Sequence, residues 1–489
     1  KNSTKSISGV REFVKIRICV PKKKSRSKKI LLRKQLFRVT LKVIADWYSF
    51  ILKGGYFMEK LFQLQAHKTT VRTEIIAGLT TFLAMAYILA VNPLILSDAG
   101  LNPGSVFTAT ALSAAVATLM MAVLANLPVA LAPGMGLNAF FTYTVVIGMK
   151  YSPATALTAV FLEGLLFILL SFFNVREAIV ESIPINLKKA VAAGIGLFIT
   201  LIGMKNAEII VDNPATLVGL GNVTSGPALL GLIGLVITAI LYVMRVPGSI
   251  LLGILITTVI GIPMGVTAPV GGWENWSIVS APAAPVFWNF DFSNIFSFQF
   301  FTVFFSFLFV DIFDTVGTLV GVTNRAGLID KDGNIPRVKQ ALLSDAIGTV
   351  FGAMMGTSTV TSFVESTSGV AAGGRTGLTA LTTGVFFLIA LIFSPLFLLI
   401  PSAATAPALI IVGFLMLSPA AEIDFQDPTE GIPAFLTIVM MPFTYSIAEG
   451  IVYGILSYVI LKAITGKFKQ IPIISWILFI IFLLRIILH

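Results

Sequence analysis

Apolar runs of roughly eighteen or more residues recur from Ile75 to the C-terminus, the length a helix needs to cross the hydrocarbon core of a bilayer. A chain patterned this way is a polytopic helical membrane protein and not a soluble enzyme. Charge agrees, because 12% of the 489 residues are charged, about half of the ~25% usual in soluble domains. Between Arg72 and Lys150 there is no Lys, Arg or His. The 41 Gly and 23 Pro suit membrane helices that pack closely or break.

The formal net charge of +11 is concentrated at one end. Residues 1–57 hold 16 of the 34 Lys and Arg against 2 acids, so the remainder is slightly acidic. The only cysteine, Cys19, lies in the same segment, which leaves no disulfide framework or Cys metal cluster to expect. A polybasic membrane-surface arm and a nucleic-acid-binding tail are two readings of it. A third is favoured. The first Met is Met58, and Lys53-Gly54-Gly55 back-translates to a bacterial ribosome-binding site with Tyr56-Phe57 as spacer. Residues 1–57 are therefore expected to be non-native translated leader, and neither nucleic acid nor a cofactor is expected as a partner.

After Met58, spans are expected at 75–91, 104–124, 134–148, 153–173, 187–204, 227–243 and 248–264. A loop with Trp273, Trp276 and Trp288 follows, residues that favour a membrane–water interface. A second set is expected from Phe300, then at 338–355, 363–372, 376–394, 403–418, 432–446 and 448–463, with an apolar tail from Pro472 to Leu488. The organisation is thus a first repeat over 58–270, an interfacial loop over 271–299, a second repeat over 300–469 and a tail over 470–489. Leu127–Phe140 and Thr357–Val370 each place a β-prone run before a short helix, and Ile183–Ile199 and Ile400–Met416 share an Ile-Pro start. Seven spans per repeat is odd, so the halves must be inverted. Broken helices at matching positions of inverted halves point to a transporter's binding site. Lys60, Lys68, Arg72, Arg176, Lys188, Lys189, Arg245, Arg325, Lys331, Arg337 and Lys339 fall on one side if the N-terminus is cytoplasmic, as the positive-inside rule asks. Lys150 and Lys205 are minor exceptions.

Five carboxylates lie in or near apolar spans: Glu163, Asp311, Asp314, Asp345 and Glu365. A charge at the centre of a membrane helix costs at least ~2.5–3.5 kcal/mol. A carboxyl group in a low-dielectric site can instead hold a proton near neutral pH, as a proton-coupled carrier requires. The alternative is that each acid caps a helix or bonds neighbouring backbone, and that suits Glu163, Asp345 and Asp311 best. Asp314 differs, since Gly317, Thr318 and Gly321 give it a small, polar helix face. Glu365 opens the short helix of the second repeat among Ser362, Ser366, Thr367 and Ser368, where exposed backbone N–H groups are ready donors. In the first repeat Gly134, Gly136 and Asn138 mark the matching start, where glycine brings backbone close to a ligand. Phe82, Tyr87, Phe140 and Phe363 are aromatics able to stack on a flat ring, although most of the 39 Phe serve packing. Gly134-x-Gly136-x-x-Ala139 lacks the βαβ context of a dinucleotide site. No P-loop is present, so ATP-driven pumping is not expected. His67 and His489 cannot form a metal site between them.

Gly78–Pro93, Ala132–Val146, Phe309–Thr318 and Thr361–Ala380 together closely resemble the adenine/guanine/hypoxanthine permease family, the purine branch of the nucleobase:cation symporters. The resemblance covers about Met58 to Lys469. It implies an all-α fold of about fourteen helices in two inverted sevens, with core and gate domains and a short strand plus half-helix at spans three and ten. It also implies that acids on spans eight and ten hold the nucleobase, positions matched here by Asp314 and Glu365. The first of these is often Glu in related carriers, so the shorter Asp314 is expected to reach its ligand through water. The expected function is proton-coupled purine uptake by alternating access across a bacterial cytoplasmic membrane, with Asp314 and Glu365 handling the proton. Gly134, Gly136, Asn138, Phe82, Phe363 and Ser366 are expected to complete the purine site. Whether two copies pair is left open. An anion transporter or channel of the same fold is the alternative, and it would prefer a basic or neutral residue at Glu365.

Overall fold

The protein is described by a computed structural model, covering residues 55–172, 184–224, 226–269, 272–274, 276–293, 295–329 and 335–488. All of them belong to one compact unit, Gly55–His489. The expected leader, apart from its last three residues, lies outside the described residues, as do Arg176 and Lys331.

A short helix, α1 (Gly55–Phe62), precedes the first span. That span runs as α2 (Val71–Met85) and α3 (Ile88–Asp98), longer at both ends than expected. Its start is fixed by Thr70, whose hydroxyl accepts from the Thr73 N–H at 3.2 Å, a side-chain cap of an otherwise unpaired donor. The second span is α4 (Pro103–Met120), capped by Asn102 through Ser105 N–H at 3.1 Å. The third is a strand, β1 (Leu131–Pro133), then α5 (Met135–Ala139), which continues as a wider helical coil to Gly148. Next come α6 (Pro153–Phe172) and α7 (Ile185–Asn206), a hairpin of β2 (Ile210–Asn213) and β3 (Leu217–Leu220), then α8 (Gly226–Val243) and α9 (Ser249–Gly261). The hairpin was not anticipated. Asn213 makes it, its carboxamide oxygen accepting from Ala215 N–H at 2.9 Å, the Asx turn typical of this residue.

The second repeat follows the same order. It consists of α10 (Phe298–Arg325), α11 (Val338–Met355), β4 (Val360–Ser362) with α12 (Ser366–Ala371), α13 (Gly377–Ala390), α14 (Ser402–Leu417), α15 (Pro428–Phe443) and α16 (Ile447–Ile464). A last apolar helix, α17 (Ile473–Leu488), packs on α16. Among the described residues nine helices are long and apolar enough to cross a membrane, and shorter apolar helices occupy Met135–Gly148, Ser249–Gly261 and Ile473–Leu484. With α11, α15 and the β4–α12 break, every expected span is occupied.

The two breaks meet. β1 and β4 pair antiparallel, Leu131 opposite Ser362 and Pro133 opposite Val360, so the third and tenth spans enter from opposite directions, as inverted halves require. A threonine bonds the outer backbone of each strand: Thr118 bonds Leu131 on one side and Thr349 bonds Val360 on the other. Buried backbone of this kind is tolerated at membrane depth only when protein supplies such partners.

Spans one to four pack mainly with eight to eleven, and five to seven with twelve to fourteen, giving the core and gate groups. Glycine permits a close gate contact where α7 crosses α14: a Cβ on Gly196 would stand 2.6 Å from the Gly413 carbonyl oxygen. Such small-residue crossings are how membrane helices gain packing that lipid cannot supply. At one end of the gate, Lys462, 2% exposed, bonds Glu430 at 2.7 Å and Gln470 at 3.0 Å. Nearby, Lys467 at 2.8 Å and Thr429 hold Asp427 well below the usual carboxylate range. Trp276 donates to the Pro395 carbonyl at 3.2 Å, and Trp273 and Trp288 are about half exposed, tethered yet available to an interface.

Candidate functional site

The crossing of β1 and β4 leaves two half-helix starts facing one cavity of about 1270 Å³. Its inner wall holds Gly134, Met135 and Gly136 from the first break, and Thr361, Ser362, Phe363 and Glu365 from the second. Asp314 and Thr318 come from α10, and Tyr87 from the turn that joins α2 to α3. Gate residues including Val191, Ile195 and Val412 form the opposite wall. The cavity therefore lies between core and gate groups, where a rocking motion would alternately open and close it.

Asp314 and Glu365 both face this cavity. Glu365 is 8% exposed and accepts a hydrogen bond from the Tyr87 hydroxyl. Its Oε1 is engaged there, and a carboxyl group keeps further lone-pair sites with which to accept from a ligand. Asp314 accepts from the Thr361 hydroxyl at 3.3 Å. A Cβ added at Gly134 would meet Thr361 Oγ1 at 2.9 Å and Asp314 Oδ2 at 3.5 Å. Any other residue would push its Cβ against the Thr361 side chain, so glycine lets the strand crossing approach the acid this closely.

The remaining acids are engaged behind the cavity. Glu163 accepts from Thr359 at 3.0 Å, and Thr315 lies 3.1 Å from Asp311 and 2.9 Å from Asp345. All three acids are fully buried. Glu74, ahead of the first span in the linear pattern, is also buried and accepts from the N–H groups of Arg375, Thr376 and Thr379 and from the Thr379 hydroxyl at 2.6 Å. It caps α13 and fixes the loop that follows the half-helix of Glu365.

Three expected site residues do not line the cavity. Asn138 is fully buried and its side-chain oxygen accepts from Ser358. The Ser366 hydroxyl donates to no ligand-facing group; it accepts from Ala130 N–H at 3.0 Å and so ties the second half-helix to the first strand. Phe82 packs between Phe386 and Phe387, with ring centroids 5.4 and 5.3 Å away. Tyr87 was noted in the sequence only as an aromatic able to stack, and its bond to Glu365 had no local signal, because the two residues lie 278 positions apart.

The permease family model matches residues 72–453. An adenine permease of Escherichia coli, AdeP, is 46% identical over 436 residues, covering 89% of this chain and 97% of its own length. A guanine/hypoxanthine permease of Bacillus subtilis, PbuG, is 48% identical over 437 residues, covering 87% of this chain and 99% of its own. Among solved structures, the transmembrane domain of the cyanobacterial bicarbonate transporter BicA superposes with a TM-score of 0.58 at 16% identity, over 78% of this chain and 97% of that one. SLC26A9 gives 0.59 at 11% identity, over 86% of this chain and 70% of that one. At these identities the structural likeness is one of fold.

Proposed function

This chain belongs to the permease family, and on that premise we propose that it is a proton-coupled purine nucleobase permease of a bacterial cytoplasmic membrane. The observation that carries the reading is the pair of acids, Asp314 and Glu365, facing one cavity at the crossing of two broken spans. Purines present ring and exocyclic N–H groups. Glu365 supplies an acceptor for them, and the first turn of the half-helix at Met135 and Gly136 presents backbone N–H groups as donors, the Gly134 N–H being already bonded to Thr359. Phe363, 5% exposed and on the cavity wall, is placed to pack on the ring.

Asp314 carries or gates the coupled proton, with Glu365 sharing that task once a purine is bound. Lys188, Arg245 and Arg325 all line the same cavity and sit at helix ends, which marks its mouth. By the positive-inside rule that mouth faces the cytoplasm, with the N-terminus on the same side. The relatives named for adenine and for guanine/hypoxanthine support a purine over other flat solutes. Against an anion carrier stands Glu365 at the start of the second half-helix, where an anion site would prefer a basic or neutral residue.

Radiolabelled adenine, guanine and hypoxanthine uptake into proteoliposomes, with and without an imposed pH gradient, tests this reading. The expected result is accumulation of at least one purine that rises with an inward proton gradient. Uptake of none of the three, or uptake indifferent to the gradient, would overturn the substrate class or the coupling respectively.

A further inference from the structure

The cavity is electrically two-ended. Its described lining carries five charged side chains, and they are sorted by place in the helices. Glu365 is 8% exposed and Asp314 lies mid-way along α10. Lys188 is in the first turn of α7, whereas Arg245 follows α8, Arg325 ends α10, and both arginines are exposed. Arg325 follows Asp314 by eleven residues on α10. At 3.6 residues per turn that spacing returns to nearly the same helix face, about 16 Å further along. Gly317 and Thr318 line the cavity between them, and a Cβ at Gly317 or Gly321 would meet nothing within 4 Å. One face of α10 is thus an open groove with an acid at one end and a guanidinium at the other. Helical side chains lean toward the helix N-terminus, so Arg325 leans back along the groove toward Asp314. Arg245 enters from the turn after α8, on the gate side. Neither arginine makes an ion pair among the described residues, where the ion pairs involve Lys189, Lys462 and Lys467. The volume of about 1270 Å³ exceeds the ~300–1,000 Å³ that suits a drug-sized ligand, and a single flat base leaves most of it empty.

Resting on the purine reading above, we propose that this cavity also binds purine nucleoside 5′-monophosphates, base inward at Glu365 and phosphate outward between Arg245 and Arg325. The acids exclude the reverse orientation, because they would face a dianion, while guanidinium groups take phosphate through paired N–H donors. A base extended by ribose and phosphate spans the groove and keeps the gate group from closing on the core. It therefore acts as an inhibitor from that side and is not carried. A transferase that bonds a base nitrogen to C1′ of a ribose 5-phosphate activated by a C1′ diphosphate makes this class of molecule, with diphosphate leaving and the base N–H proton lost. Its product would restrain further entry.

The test is displacement of a bound radiolabelled purine from the purified full-length protein by the matching nucleoside, its 5′-monophosphate and inorganic phosphate. It is run on the parent, on the double variant Arg245→Gln/Arg325→Gln and on Arg325→Lys. The expected result is a monophosphate at least tenfold more potent than the nucleoside in the parent. That advantage should vanish in the double variant and partly return in Arg325→Lys, while free-purine affinity stays unchanged throughout. Equal potency of nucleoside and monophosphate, or an advantage that survives the double variant, would overturn the proposal. So would displacement by inorganic phosphate alone at similar concentration, which would mark a plain anion site. Repeating the parent assay in nanodiscs distinguishes lipid: loss of the monophosphate advantage with anionic but not zwitterionic lipid would assign the arginines to headgroups. A parent that binds no purine at all would sink the functional reading instead, and direct binding of labelled monophosphate would then be measured separately.

Discussion

The two broken spans occupy equivalent places in inverted repeats, yet they contribute opposite kinds of chemistry. The first, β1 with α5, reaches the cavity as Gly134-Met135-Gly136 and carries no charge there. The second, β4 with α12, reaches it with Thr361, Phe363 and Glu365. Their lengths differ as well: α5 continues to Gly148, whereas α12 ends at Ala371, followed by Gly373 and Gly374. A symmetric scaffold has been given an asymmetric site. One half offers bare backbone and the other a titratable acid, and a flat, polar ring between them meets both. Across the strand pair Thr361 stands opposite Ala132, bonds Asp314 within its own half and would collide with a side chain at Gly134 of the other.

The largest expected effect comes from the acid that both breaks approach. Asp314→Asn keeps the shape but cannot exchange a proton, so purine accumulation driven by a pH gradient should fall to the level of empty liposomes while purine binding persists. Accumulation at the parent level in that variant would move the proton to another group. Next, Glu365→Gln replaces one acceptor oxygen with an NH2 donor. A hydrogen bond to a charged group is worth roughly 1.5–3 kcal/mol, so calorimetry should show affinity about 10- to 100-fold weaker. On the uncharged break, Gly134→Ala forces a methyl group against Thr361. Overpacking of this kind costs ~1–3 kcal/mol, and affinity should drop about tenfold, with Gly134→Ala/Thr361→Ala recovering the room but not the Asp314 bond. The smallest effect on binding is expected from Glu163→Gln. Glu163 bonds Thr359 behind the cavity, so its loss should lower the midpoint of thermal unfolding and leave purine affinity within twofold. A larger loss of affinity than in Glu365→Gln would reverse the roles assigned to the two glutamates.

The spans and the two breaks were legible because their signals are local. The run Thr357–Val370 lacks the leucines of a membrane helix, and Glu365 stands out as a charge inside it. Glu365 and Asp314 could be singled out from neighbouring Gly, Ser and Thr alone, and both reach the cavity. What stayed hidden depends on contacts distant in sequence. Tyr87 looked like one of many aromatics until the fold brought it to Glu365, and Glu74 drew no attention in the sequence although it caps a helix 301 residues away. Asn138 shows the reverse case. Its polarity near a half-helix start suggested a ligand contact, and one turn into α5 its side-chain oxygen accepts from Ser358, outside the cavity lining. The β2–β3 hairpin was missed because a short polar turn between apolar spans reads as any connecting loop.

A structure of the protein with a purine bound tests the central claim most directly. The account predicts the base between the two half-helix starts, with a ring or exocyclic N–H within about 2.7–3.2 Å of a Glu365 oxygen and its edge against the backbone of Gly134 or Gly136. A base seated elsewhere, with Glu365 bonded only to Tyr87, would contradict it.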